Sequence, residues 1–445
     1  CYQWQSMESQ GPPANAGGSD KTTMSPERKL KIAVWHNLPS GGGKRALYHH
    51  VKGLVARGHS LECWTLSTAD QSYLPLRDLI TEHVVPYDQA PEKNFLRKTA
   101  RTRSSYYDGV ARMRAFDEAC KRCAREIEAG EFDLLFANSS VLYYMPYVMR
   151  HVRLPKVLYL QEPYRPLYEA DPILPWVESD RENIWSDPFR SQGFIGADLQ
   201  LRTLRLQARL EWLNAQACDV ILVNSYYSRE SILRAYGRDA KVCYLGVDTA
   251  AFRDLHRERE RFIVGLGSFD KIKGIELTVR SVALLAAPRP RLVWIANSGS
   301  ESYMKEMLEL AATRGLDFEI KTMVPDEELV DTLNRAALLL YTPSLEPFGF
   351  APLEANACAT PVVAVAEGGV RETVKDGVNG FLVDREPEQI AAALEKLLND
   401  HTLARQMGDR AAAHVREHWS VESSVDRLEE HLLQTVSAHS GMKQS

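Results

Sequence analysis

From Leu30 onward, short apolar runs alternate with stretches of helical periodicity. That alternation narrows the fold more than any other feature, because parallel strands need a crossover between them and the usual crossover is a helix. The runs at Leu30–Trp35, Leu61–Leu66, Val84–Tyr87, Asp133–Ala137, Lys156–Leu160, Val220–Val223 and Lys241–Leu245 predict one doubly wound sheet. The pattern restarts at Arg261 and continues through Arg291–Ala296, Phe318–Met323, Ala337–Tyr341 and Pro361–Val365, which predicts a second. Length agrees: 445 residues accommodate two such α/β domains. The first series closes with the run ending at Leu245, giving an N-terminal domain over 29–245 and a C-terminal one over 246–419. Residues 1–28, rich in Gly, Pro and polar side chains without apolar period, are expected to form a disordered tail.

A formal net charge of -5 argues against a general nucleic-acid binder. Seven scattered cysteines, mostly in apolar runs, are expected of reduced thiols rather than a disulfide framework. Cys120 and Cys123 spell C-x-x-C, yet Val110, Met113, Phe116, Cys120, Cys123 and Ile127 make one apolar helical stripe, so packing is the expected role rather than metal. No apolar run is long enough for a transmembrane helix and no signal peptide is expected, which together predict a cytoplasmic protein with at most peripheral membrane contact. The basic, aromatic-sprinkled stretch 93–114 fits either an anionic membrane surface or an anionic acceptor, and equally a solvated basic face.

The chemistry concentrates in Tyr341–Asp384. A strand feeds a loop holding Glu346-Pro347-Phe348-Gly349, then a helix from near Ala351, a second strand, and a Gly368-Gly369 turn. Glu346 before the helix and Glu354 inside it can address one cleft, and backbone N–H groups at a helix start form a site for anions and hydroxyls. Glu-Pro-Phe-Gly with Glu354, Gly-Gly-x-x-Glu ending at Glu372, and Asp-Gly-x-x-Gly-Phe-Leu-Val over Asp376–Val383 resemble the donor-site signature of retaining GT-B glycosyltransferases of family 4. The resemblance spans 30–437 and is most specific over 341–384.

It implies a GT-B fold, two Rossmann-like doubly wound domains facing a central cleft, with a terminal helix near 420–437 returning to the first domain. It also implies transfer of a hexose-type sugar from a UDP- or GDP-linked donor to a hydroxyl of a glycan, lipid-linked or small-molecule acceptor, with retention and without cofactor or metal. By resemblance, Glu346 binds the sugar with help from the backbone N–H groups of Phe348, Gly349 and Phe350. Glu354 holds the ribose, Lys273 the leaving diphosphate, and Val324 lies beside the base. The phosphate turn departs from the family at Ser268, which stands where an arginine is usual; Lys271 is a candidate substitute or merely a surface lysine. Gly42 and Gly43, in the first strand-to-helix turn, approach the donor phosphates. The P-loop spacing fails there, since Leu38 and Arg45 occupy its first glycine and its Ser/Thr positions.

His36, Glu162 and Arg165 are the acceptor-side candidates, and Gln161 occupies the position of the family's donor-sugar histidine. An amide exchanges no proton near neutrality, so acid–base chemistry at Gln161 is lost. Residues 170–197 are expected to form a long substrate-shaping loop carrying Trp176, Trp185, Phe189 and Phe194. A catalytically silent sugar-nucleotide or glycan-binding protein, and a phosphorylase or epimerase on the same scaffold, stay open as alternatives.

Overall fold

The computed structural model describes residues 28–87, 101–168 and 191–442. Residues 1–27 of the expected tail, residues 93–100 of the basic stretch, and the aromatic loop up to 190 lie outside the described residues. Two compact units emerge, divided between Cys243 and Tyr244 and again between Ser424 and Val425.

In the first unit, β1 (Lys31–Asn37), β2 (Ser60–Leu66), β3 (Thr81–Val85), β4 (Leu134–Ser140), β5 (Lys156–Tyr159), β6 (Val220–Val223) and β7 (Lys241–Val242) form a parallel sheet ordered β3-β2-β1-β4-β5-β6-β7. Its core packs Trp35, Phe116, Leu135 and Leu158 with both cysteines of the C-x-x-C, which lie on the buried face of the helix Arg101–Ala129. Burial pushes both thiols up, Cys123 to about 12, as packing groups rather than reactive ones. The terminal helix Val421–Met442 joins this unit from Val425 onward. A Cβ on Gly53 would come 2.5 Å from a Val425 methyl, so only glycine admits the helix Gly42–Ala56 this close.

Two boundaries differ from the sequence reading. Strand β3 begins at Thr81, three residues before the expected Val84: it is an edge strand, and Glu82 makes its early residues look unlike a strand. The helix expected from Asp198 starts at Ser191, running through Gly193 and Gly196. Glycine costs a helix about 1 kcal/mol per site, which a long cooperative helix offsets.

In the second unit, β8 (Glu260–Leu266), β9 (Arg291–Ala296), β10 (Phe318–Thr322), β11 (Ala336–Tyr341), β12 (Val362–Val365) and β13 (Gly380–Val383) form a parallel sheet ordered β10-β9-β8-β11-β12-β13. The order reverses between β8 and β11, neighbours in space but distant in sequence. At such a switch point the loops beyond the strand ends diverge and leave room for a ligand.

Candidate active site

The loop after β8 and the loop after β11 leave the switch point side by side. Backbone geometry ties them together: Ser344 N–H donates to Ile272 O at 2.8 Å, and Thr342 Oγ1 reaches the carbonyls of Lys273 and Gly274 at 3.1 and 3.0 Å. Gly274, at φ 71, caps the helix Ile275–Ala283, and a Cβ there would collide with Thr342 O at 2.3 Å. Both constraints demand glycine. The outcome is one contact between the two loops' charged side chains: Lys273 Nζ donates to Glu346 Oε2 at 2.7 Å, with 21% and 24% of the side chains exposed.

Beyond Glu346 the chain turns at Gly349, φ 88, into the eight-residue helix Phe350–Ala357. Phe348 is buried against Phe350 and Trp419, which leaves its backbone rather than its ring available to a ligand. Glu354 is buried at 2% exposure, one turn into that helix. Tyr341 lies within reach of both carboxylates: burial raises its phenol well above the usual range, and Glu346 and Glu354 add to the shift. Glu372, the acid of Gly-Gly-x-x-Glu, accepts from the Tyr244 hydroxyl at 2.8 Å.

Ser268 is half-buried beside Gly267, whose carbonyl accepts from Trp294 Nε1 at 2.9 Å. Lys271 is exposed and lies over the Tyr303 ring at 5.8 Å, whereas Lys273 is the lysine brought to Glu346. Val324 is half-buried; its neighbour Met323, at φ 54, is 75% exposed.

In the other unit, Gly42 opens the first helix behind Gly41 at φ 129. Gly43 faces Gln161: an added Cβ would sit 3.0 Å from the Gln161 amide nitrogen. These two predicted residues therefore meet. Glu162 and Arg165 meet as well, in an ion pair at 2.7 Å.

His36, expected at the acceptor, is fully buried. Together with Cys63 and Glu82 it forms a group whose donor atoms lie within 4.8 Å of one another, the only such candidate metal-ligand group among the described residues. Two observations oppose ligation. Lys44 Nζ is 3.3 Å from His36 Nε2, and Leu38 N–H donates to Nδ1 at 3.3 Å, which puts the neutral ring's proton on Nε2, the nitrogen facing the group. Burial holds His36 at about 4 and lowers Lys44. The cluster is a buried polar network beneath the first helix.

The sequence reading missed Arg385 and Glu367. Arg385 donates from Nε and Nη2 to the two carboxylate oxygens of Glu367 at 2.7 Å each. The acid's position directly before Gly368-Gly369 was the available signal.

Comparison with known proteins follows the same division. Residues 40–251 match the family described as Glycosyltransferase Family 4, and 247–414 that described as Glycosyl transferases group 1. D-inositol 3-phosphate glycosyltransferase of Acidothermus cellulolyticus is 31% identical over 227 residues, 46% of this chain and 51% of that protein. The mouse (Mus musculus) alpha-1,3/1,6-mannosyltransferase ALG2 is 26% identical over 260 residues, 52% of this chain and 63% of its own. The matched parts thus span about half to three-fifths of these relatives.

Two solved structures share the fold at 19% identity. Sucrose-phosphate synthase from Thermosynechococcus elongatus has a TM-score of 0.67, covering 92% of this chain and 100% of that one. Anabaena Alr3699/HepE in complex with UDP and glucose has a TM-score of 0.65, covering 91% and 100%. No helix among the described residues is long and apolar enough to cross a membrane. With two paired parallel-sheet units of GT-B type and family matches that together run from residue 40 to 414, the chain belongs to the family 4, group 1 glycosyltransferases.

Proposed function

We propose that the protein is a retaining glycosyltransferase that moves a hexose-type sugar from a nucleoside diphosphate sugar to a hydroxyl acceptor. The observation that carries this reading is the Lys273–Glu346 contact at the β8/β11 switch point, with Glu354 buried one helix away. On this reading the donor diphosphate draws Lys273 from Glu346, the freed carboxylate accepts hydrogen bonds from sugar hydroxyls, and Glu354 holds the ribose. Lysine and backbone N–H groups act where charge develops on the departing diphosphate, so no metal is required of the site. Retention proceeds by front-face displacement: the departing phosphate oxygen takes the acceptor proton, in keeping with a glutamine at position 161. That UDP and glucose are bound by HepE, and that relatives carry glycosyltransferase names, supports a nucleotide-sugar donor. The acceptor is proposed to engage Gln161 and the Glu162–Arg165 pair.

The altered positions Gln161 and Ser268 favour a second reading, a silent sugar-nucleotide binder. One experiment separates the two. A thermal-shift screen with UDP, GDP, ADP and their sugars identifies the donor, since a ligand at about 100 times its Kd adds about 2.7 kcal/mol. Diphosphate release from the sugar that binds is then followed. Binding with slow release supports transfer; binding with no release at high enzyme supports the silent protein; no stabilisation by any nucleotide contradicts both.

A further inference from the structure

The loop that carries Glu346 is held from two sides. Lys273, Gly274 and Ile272 hold one; the other consists of two residues to which the sequence pattern assigns nothing. Arg385, just past β13, donates to Thr342 O at 3.0 Å and to Pro343 O at 2.8 Å while its fork closes on Glu367. Glu367, just past β12, in turn accepts from Leu345 N–H at 3.4 Å. Leu345 stands at φ 49, a left-handed conformation that a leucine keeps only when its surroundings over-determine it. The next carbonyl, Glu346 O, accepts from Gly369 N–H at 2.8 Å, and Gly368 passes so close that a Cβ would lie 2.2 Å from that oxygen. Every residue from Thr342 to Glu346 therefore has a backbone anchor, and the anchors at 342, 343 and 345 run through the Arg385–Glu367 pair.

We propose that Arg385 and Glu367 are positioning residues for the transfer reaction: as a unit they fix the backbone from which the Glu346 carboxylate reaches Lys273 and the donor. Arginine suits the task because its planar fork serves a carboxylate and two carbonyls at once, which a lysine cannot do. Arg385 also holds the Glu367 carboxyl below its usual range, so the pair stays charged across the working pH.

The proposal rests on the reading of Glu346 as a donor contact, and the variants are chosen to keep the two apart. In Arg385→Ala, kcat for diphosphate release from UDP-glucose or GDP-mannose falls about 10- to 100-fold while KM changes less than about threefold, the split expected when a group is displaced by about an ångström without losing its binding partners. Added guanidinium restores part of the rate, which a merely destabilised protein would not show. Glu367→Gln, which keeps shape, serves if Arg385→Ala fails to fold, and lowers kcat in the same way. Wild-type kcat in Glu367→Gln, or equal losses in kcat and donor binding, overturn the positioning role. Retained activity in Glu346→Ala instead overturns the reading beneath it. Should neither sugar be cleaved, amide exchange over residues 342–349 decides: it quickens in Glu367→Gln if the pair holds the loop, and unchanged exchange overturns the proposal.

Discussion

At the scale of single residues, the turn after β8 offers a proposed diphosphate Lys273 and the uncharged Ser268, while Lys271 turns toward Tyr303. Lys273 then bears more of the task. Lys273→Met is expected to lower turnover roughly 10- to 150-fold, the equivalent of one charged hydrogen bond at about 1.5–3 kcal/mol. Steady-state diphosphate release checks it, and a loss below about threefold contradicts it. Ser268→Arg should act in the opposite direction and tighten UDP binding about tenfold by calorimetry. An unchanged Kd would mean that residue 268 does not face the phosphates.

At the scale of elements, glycines decide how closely loops and helices approach. Gly368→Ala places a methyl against the Glu346 carbonyl at φ 60, so a clash and backbone strain act together. Turnover and the melting midpoint should both fall, by more than the 1–3 kcal/mol typical of overpacking. Gly53→Ala drives a methyl into the stiff, β-branched Val425 side chain of the first unit, and should lower the midpoint while leaving nucleotide binding unchanged. Most elements were legible because buried parallel strands such as β11 and β12 are nearly unbroken apolar runs. The Ser225 side chain accepts from Ser228 N–H as the N-cap of the helix Tyr226–Tyr236. What escaped was set by long-range contact. Glu82 hides the start of β3 because its partners His36 and Lys44 lie on other elements, and Arg385 looks like an ordinary surface charge until the fold brings Glu367 and two loop carbonyls to it. The Glu346 loop stood out in the sequence because its residues are contiguous; its supports are not.

For the molecule as a whole, buried titratable groups set a pH dependence of stability. Glu211, fully buried and hydrogen-bonded to Gln207 and to the Tyr236 hydroxyl, is pushed by burial from 4.5 to about 7. A raised carboxyl favours the folded state below its unfolded value, and that contribution is lost as pH rises through about 7. Buried His36 and His50, held at about 4 and about 3, act oppositely, losing stability as pH falls below the ordinary 6.5. The difference between wild type and Glu211→Gln isolates the carboxyl: relative to the variant, the wild type should gain up to about 3 kcal/mol between pH 8 and pH 5 in denaturant unfolding. A pH-independent difference would contradict it.

Glu346→Ala decides whether the carboxylate paired with Lys273 addresses the donor sugar. Diphosphate release from the nucleotide sugar that stabilises the wild-type protein is measured alongside the melting midpoint of the variant. Release should fall to background with a midpoint close to wild type, because the Glu346 side chain is partly exposed. Release near the wild-type rate in a folded Glu346→Ala protein would contradict it.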